Sequence, residues 1–192
     1  MFQQYIHQYN EEIIDTLNHL DSKEFEKLIN ILREAYKADK QVFIAGNGGS
    51  AGTANHFVCD FGKNAVQGTG KRRFRIISLC DNIEKITAFG NDVAFEEIYS
   101  QQLINLMNND DVLIIISASG NSPDLISACE YAKTKNAHII GLTGFQGGRI
   151  KGFAEANIIA PLTSYEKIED IHMVITHMIV YFFRNHPEYL AE

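Results

Sequence analysis

The 192-residue sequence contains no tryptophan, three prolines and three cysteines. The cysteines, Cys59, Cys80 and Cys129, are odd in number and form no CxxC pair. They predict reduced, mostly buried thiols of a cytoplasmic protein. The scarcity of proline leaves no stretch typical of an interdomain linker, and the length fits one domain with a single core. The first residues show no basic start followed by an apolar stretch, so we expect no secretory signal.

Long apolar runs and a basic surface are missing as well. The longest uninterrupted apolar run, Met178 to Phe183, is far shorter than the ~20 residues that span a bilayer. The formal net charge of −7 argues against a protein that coats nucleic acid. One short basic cluster at 71–75 is interpreted as a solvated loop edge. We therefore expect an acidic soluble protein with neither a membrane nor a nucleic acid as its partner.

What the sequence does contain is an alternation of short apolar runs with helical patterns. Two amphipathic segments, one at about 2–20 and one after Asp21-Ser22 with apolar residues from Phe25 to Ala35, predict an N-terminal helical hairpin. Later helical patterns cover about 50–62, 82–107, 123–135 and 164–184. Between them lie five Val- and Ile-rich runs, Gln41–Ala45, Phe74–Leu79, Val112–Ile116, His138–Leu142 and Asn157–Ala160. This order predicts an α/β fold, with an open parallel five-stranded sheet flanked by helices on both faces.

Polar loops follow the first and third runs, at the strand ends where open α/β sheets bind ligands. The first loop is Gly46-Asn47-Gly48-Gly49-Ser50, whose glycines let the backbone approach an anion at the next helix N-terminus. The second loop, from Ser117 to Asp124, offers three hydroxyls, with Ser122 as the N-cap and Pro123 as the first helical residue. Neither loop is a Walker A or GxGxxG motif. Either alone could be a tight turn, but together they predict a phosphorylated ligand.

Histidines and carboxylates recur on two of the predicted helices. His56 and Asp60 are four residues apart and share one helix face. On the last helix, Glu169 and His177 are eight residues apart, about 80° around the axis and ~12 Å along it. They can share one ion only if both side chains extend toward it or if the helix is irregular, and His172 should face elsewhere. These groups suit either Zn²⁺ binding or general acid–base chemistry, and the spacing leaves both roles open.

These motifs together resemble the SIS-domain family and, within it, the phosphoheptose isomerases. The matching segments are Gly46–Ser50, His56-Phe57 with Asp60, Gly90-Asn91-Asp92, Ser117–Ser122, Leu142-Thr143-Gly144 with Gly147-Gly148, and Ile168-x-x-Ile171-His172 with His177. The resemblance covers nearly the whole chain. It implies a three-layer sandwich forming a single SIS domain over 1–192, with the hairpin at 1–39 and the α/β core at 40–192. It also implies a cytoplasmic homotetramer with active sites at subunit interfaces.

The reaction implied by the resemblance is an aldose–ketose isomerisation through an enediol, from sedoheptulose 7-phosphate to D-glycero-D-manno-heptose 7-phosphate. Asp60 and His177 match the catalytic positions, and the loop serines match the groups that hold phosphate. The implied substrate-binding residues are Asn47, Gly48, Gly49, Ser50, Asp92, Ser117, Ala118, Ser119, Ser122 and Glu169. One Zn²⁺ per subunit is implied, with His56, Asp60, Glu169 and His177 as its ligands.

Several positions depart from the family pattern. Asp60 stands where Glu is usual, Glu169 where Gln is usual, and Glu166 where Asp is usual; Ala118 and Asn64 replace a common Thr and Arg. Two carboxylates would neutralise the charge of a divalent ion that is also bound by two neutral imidazoles. We therefore expect the protein to retain a metal ion more firmly with Glu169 than it would with Gln at that position.

Two alternatives to the heptose phosphate reaction remain open. One is a non-catalytic SIS-domain binding protein like the one that associates with the initiator DnaA, which lacks the catalytic groups at the positions of Asp60 and His177. The other is an isomerase for a different sugar phosphate.

Overall fold

The computed structural model describes residues 1–191. Its five strands are β1 (Gln41–Gly46), β2 (Arg75–Ser78), β3 (Val112–Ser117), β4 (His138–Gly144) and β5 (Ala156–Ala160). They form one sheet in the order β2-β1-β3-β4-β5, and every neighbouring pair is parallel. The predicted parallel five-stranded α/β fold is confirmed, and each strand lies within two residues of its predicted bounds.

The helices of the described chain are α1 (Phe2–Asn18), α2 (Ser22–Lys37), α3 (Gly49–Asn64), α4 (Ile83–Asp92), α5 (Ser100–Leu106), α6 (Pro123–Thr134) and α7 (Tyr165–Asn185). The predicted hairpin is present as α1 and α2. The Asp21 carboxylate accepts hydrogen bonds from the backbone N–H groups of Lys23 and Glu24, which caps α2 and separates the two helices. None of these helices is both long and apolar enough to cross a membrane.

The prediction of one helical segment over 82–107 is wrong. α4 ends at Asp92, and a short 3-10 turn precedes α5. Asn91 and Asp92 have low helix propensity, and Ala94 adopts extended backbone with φ −168°. The interruption brings Tyr99 beneath the carboxyl end of β1, where its hydroxyl donates a hydrogen bond of 2.6 Å to the Gly46 carbonyl oxygen.

Helices bury both faces of the sheet at its inner strands, whereas the edge strand β2 leaves Arg75 and Ile77 exposed. Val112, Ile114 and Ile116 of β3 face the layer that contains α2, α3 and α7. Leu113 and Ile115 of the same strand face the layer that contains α5 and α6. Burial on both faces explains why the strands read as continuous apolar runs. The cysteine prediction is wrong in part, because Cys129 is buried but Cys80 is half-buried and Cys59 is exposed.

The strand order places a crevice between β1 and β3. The helix after β1, α3, packs on one face of the sheet, and the helix after β3, α6, packs on the other. Chains that leave neighbouring strands toward opposite faces open a gap at the carboxyl ends, where α/β proteins bind ligands. The fold therefore brings the two polar loops of the sequence to one place.

Candidate active site

A cavity of about 120 Å³ lies in this crevice, and we call it the strand-end pocket. It is lined by Asn47, Ser50, Ile116, Ser117, Ala118, Ser119, Ser122, Leu125, Tyr165 and Glu169. Within residues 1–191, this lining includes no lysine, arginine or histidine. An anion bound here would be met by hydroxyls, amides and backbone dipoles rather than by a cationic side chain.

The serines of the pocket keep their hydroxyl hydrogens available. Ser117 Oγ accepts a hydrogen bond of 3.1 Å from the Gly120 backbone N–H, and Ser119 Oγ accepts one of 3.2 Å from Asn121. Ser122 precedes the first residue of α6, as predicted, but its side chain makes no capping bond within the described chain. Hydroxyls that only accept, or are unused, can still donate to an anion. They stand at the N-terminus of α6, where the helix dipole also favours negative charge.

The loop after β4, which contains Gly147 and Gly148, holds the serine loop (Ser117 to Asp124) in place by backbone contacts. Gly120 has φ +65°, and a side chain there would collide with the backbone of Gly147. Gly148 has φ +55° and packs equally closely on Gly120. The Ile150 backbone N–H donates to the Gly120 carbonyl oxygen over 3.0 Å. Glycine is needed at these positions because two backbones approach each other without room for Cβ atoms.

A second group of polar side chains lies on α3 and α7, and we call it the His–Asp–His cluster. It consists of His56, Asp60 and His177, whose ligand atoms all lie within 4.8 Å of one another. Asp60 Oδ2 is 3.3 Å from His56 Nε2 and 3.7 Å from His177 Nε2. The two imidazole Nε2 atoms are 2.9 Å apart, so one of them carries a hydrogen in the neutral pair.

Aromatic packing between the two helices brings the cluster together. Phe57 and Phe61 of α3 are buried in the turns that carry His56 and Asp60. Phe61 meets Phe183 of α7 edge-on, with ring centroids 5.9 Å apart. Packing of these rings fixes how α3 and α7 face each other, and the polar side chains at the rim converge as a result.

Asp60 is oriented by a residue of its own helix. Asn64 Nδ2 donates a hydrogen bond of 3.0 Å to Asp60 Oδ1, which leaves Oδ2 directed to the histidines. The carboxylate is 23% exposed, and with His177 it borders an adjoining cavity of about 420 Å³. A carboxylate held in this way and open to a cavity can act as a general base.

The donor set of the cluster fits a zinc ion. Two imidazole nitrogens and a carboxylate oxygen are ligands that Zn²⁺ takes in catalytic sites, with a fourth position left open. The 2.9 Å between the imidazole nitrogens is close to the separation of about 3.3 Å that two nitrogens have around tetrahedral zinc. Small side-chain movements would therefore suffice to bind the ion.

The structure divides the predicted site residues between the two regions. Seven of the ten predicted substrate residues line the strand-end pocket, and Gly48 and Gly49 lie beside it at the start of α3. Asp92, the last residue of α4, is exposed and outside the pocket of this chain. Glu169 lies in the pocket, so close to Gly49 that a side chain at that position would require the Glu169 carboxylate to move. It is not part of the His–Asp–His cluster within residues 1–191.

Two other residues of α7 complete the description. Tyr165 lines the pocket and packs edge-on against Phe145 at 5.4 Å, but no motif in the sequence distinguishes it from other tyrosines. His172 points into the core, as its angle from His177 predicts, and is fully buried. Burial lowers the pKa of His172 to about 4, so its ring is neutral near pH 7.

Comparison with known proteins gives consistent matches. Residues 4–144 match the family model of the SIS domain. The phosphoheptose isomerase of Citrifermentans bemidjiense is 36% identical over 169 residues, which cover 88% of this chain and 86% of the relative. The phosphoheptose isomerase of Fusobacterium nucleatum is 37% identical over 161 residues, which cover 83% of this chain and 81% of the relative. The solved phosphoheptose isomerase of Neisseria gonorrhoeae superposes with a TM-score of 0.84 at 26% identity, covering 95% of this chain and 98% of that one.

Proposed function

The chain belongs to the SIS-domain family and, within it, to the phosphoheptose isomerases, and on this basis we propose that it interconverts sedoheptulose 7-phosphate and D-glycero-D-manno-heptose 7-phosphate. One observation supports this most directly. The strand-end pocket and the His–Asp–His cluster lie on the same two helices, since α3 carries Ser50 and Asp60 while α7 carries Glu169 and His177. Along α7 the two regions are ~12 Å apart. An extended heptose phosphate can reach from one to the other.

The strand-end pocket binds the phosphate end of the substrate. The hydroxyls of Ser117, Ser119 and Ser122 donate to phosphate oxygens, together with backbone N–H groups at the start of α6. Binding energy from this non-reacting end is used to position the open-chain carbonyl at the cluster.

The His–Asp–His cluster moves the protons. Asp60 Oδ2 removes the proton from the carbon next to the carbonyl, and the enediol then receives it back on the neighbouring carbon. His177 transfers a proton at the substrate oxygens, within reach of Asp60. Asn64 keeps the carboxylate oriented through its hydrogen bond to Oδ1.

One Zn²⁺ per subunit would be held by His56, Asp60 and His177. With the ion bound, His177 Nε2 would be a ligand and could not transfer a proton; the ion would instead polarise the carbonyl and stabilise negative charge on the enediolate. For Glu169 to become a further ligand, its carboxylate would first have to leave its position against Gly49.

We also propose that the chain acts as a single SIS unit over 1–192 and as a cytoplasmic homotetramer with shared active sites. α1 exposes a set of large apolar side chains that a second subunit would cover: Phe2, Tyr5, Ile6 and Ile14. Asp92 is exposed away from the pocket of its own chain, which suits a contribution to a neighbouring site.

The test is incubation with sedoheptulose 7-phosphate while the aldose product is followed by NMR. We expect a heptose 7-phosphate to appear, and we expect it to form at least about 10²-fold more slowly with an Asp60→Asn variant. Turnover of a pentose or hexose phosphate instead would move the proposal to another sugar. Binding without turnover of any sugar phosphate would favour a non-catalytic binding protein. Against that alternative stands the cluster itself, in which Asp60 and His177 lie 3.7 Å apart.

A further inference from the structure

The side chain of Asn47 is held at both ends of its amide by residues behind the strand-end pocket. Its Nδ2 donates a hydrogen bond of 2.7 Å to Asp124 Oδ2. Its Oδ1 lies 3.2 Å from the hydroxyl of Tyr99, which also donates to the Gly46 carbonyl oxygen. Asn47 follows β1, whereas Asp124 belongs to the first turn of α6.

The chemistry of the partners fixes which way the amide faces. An ionised carboxylate only accepts hydrogen bonds, so it requires the NH₂ end of Asn47 on its side. Burial raises the pKa of the Tyr99 hydroxyl, which therefore stays protonated, and its single hydrogen is shared between the Gly46 carbonyl oxygen and the oxygen end of Asn47. One of the two hydrogens on Asn47 Nδ2 is used by Asp124, and the other has no acceptor among residues 1–191.

Asp124 acts from outside the ligand space. It is 2% exposed and, among residues 1–191, does not belong to the lining of the pocket, although Ser122 and Leu125 on either side do. Burial raises the pKa of Asp124, so its charge is costly at this position. The hydrogen bonds from Asn47 and from nearby backbone N–H groups offset that cost.

We propose that Asp124 is a positioning residue for the isomerase, which fixes Asn47 so that its free N–H donates to an oxygen of the sugar phosphate. This inference rests on the proposed function. Because Asp124 lies in the same helical turn that follows the serine loop, it also ties the β1 loop to the phosphate-binding loop. The two halves of the pocket are thereby kept in register before substrate arrives.

The experiment is a double-mutant cycle between the two residues, read by steady-state kinetics on sedoheptulose 7-phosphate. We expect Asp124→Ala to lower kcat/KM by about tenfold or more, since a buried hydrogen bond to a charged group is lost. Asp124→Asn keeps an acceptor for Asn47 and should stay within about threefold of the wild type. In an Asn47→Ala background, Asp124→Ala should lower kcat/KM by less than about threefold further.

A matched control is available at the other end of the sheet. Asp111 is also 2% exposed and accepts backbone hydrogen bonds of 2.9 Å from Gln41 and 2.8 Å from Asn108. Asp111→Asn should lower the melting temperature but leave kcat/KM within about twofold, because it lies far from the pocket. If Asp124→Ala does not fold, Tyr99→Phe removes the other hold on Asn47 and should give a smaller loss that also disappears in the Asn47→Ala background.

Equal losses from Asp124→Ala in both backgrounds, or wild-type kinetics in that variant, would overturn the proposal. A wild-type protein that turns over no sugar phosphate would instead contradict the proposed function. In that case the hydrogen bond between Asn47 and Asp124 can be tested by NMR on ¹⁵N-asparagine-labelled protein, in which the side-chain amide signals of Asn47 are identified by their loss in Asn47→Ala. These signals should shift in Asp124→Ala and not in Asp111→Asn. Unshifted signals in Asp124→Ala would refute the proposed hold on Asn47.

Discussion

The strand-end pocket and the His–Asp–His cluster solve two chemical problems in different ways. The pocket is made largely by two short loops, and its groups are mostly hydroxyls, an amide and backbone N–H donors. The cluster is made by titratable side chains from two helices, and His56 and His177 are 121 residues apart. An anion can be bound by consecutive residues of a loop, whereas proton transfer requires groups whose positions depend on how helices pack.

The two regions also differ in rigidity and exposure. Glycine-to-glycine backbone contacts brace the serine loop, and Ser117 is buried. In the cluster, the side chains of His56 and His177 are 45% and 51% exposed. We therefore expect changes in the pocket to affect substrate affinity and changes in the cluster to affect turnover.

Asp60→Asn gives the largest expected effect and tests the cluster. It removes the general base while keeping the size of the side chain, so kcat should fall about 10²–10⁴-fold and KM should stay within about threefold. Steady-state kinetics checks this, with Cys59→Ser, an exposed neighbour on α3, as the control. A variant that kept normal kcat would remove Asp60 from the mechanism.

A substitution of His172 tests the buried side of α7, which belongs to neither the strand-end pocket nor the His–Asp–His cluster. Its folded-state pKa is lowered to about 4 from the usual value of 6.5, so the unfolded chain takes up the proton first as the pH falls. Stability that is fully present above pH 6.5 should be lost between pH 6.5 and about 4, by roughly 3 kcal/mol. Urea unfolding across this range should show a flatter pH dependence for His172→Leu. The same slope in both proteins would contradict the assignment.

Ser122→Ala tests the pocket. Because Ser122 makes no capping bond within the described chain, its loss should change the melting temperature little. The lost hydroxyl bond to a charged phosphate should cost about 1.5–3 kcal/mol, seen as a rise of about 10–100-fold in KM. Ser127→Ala on the same helix, whose hydroxyl contacts Glu97 instead, is the control. A fall in kcat at unchanged KM would contradict the assignment of substrate affinity to the pocket and of turnover to the cluster.

Glu169→Gln gives the smallest expected effect and tests the carboxylate that lies in the anion-binding pocket. Removing a negative charge near bound phosphate should tighten the binding of inorganic phosphate by about fivefold, which corresponds to about 1 kcal/mol. Calorimetry measures this, and Glu166→Gln is the matched control, since Glu166 lies outside the pocket lining among residues 1–191 and bonds to Ser164. Weaker phosphate binding in Glu169→Gln would show that the carboxylate supports the site.

Most of the fold could be predicted because its signals are local. The inner strands are short apolar runs rich in β-branched residues, such as Val112–Ser117, and their length and composition distinguish them from helices. The long segment over 82–107 failed because weak helix formers at Asn91 and Asp92 end α4 while the apolar pattern continues into α5. Tyr165 and Asp124 carried no recognisable pattern, since their roles depend on what packs beside them.

The amino-acid sequence by itself determined the succession of strands and helices along the chain, the two glycine- and serine-rich loops, and the residue types available for chemistry. These follow from backbone preferences and from apolar spacing, which act over a few residues. Only the tertiary structure decided that His56, Asp60 and His177 meet, that Glu169 stays in the pocket, and that Asp124 reaches Asn47. Such contacts depend on how α3, α6 and α7 pack on the sheet, and packing is set by side chains far apart in the chain.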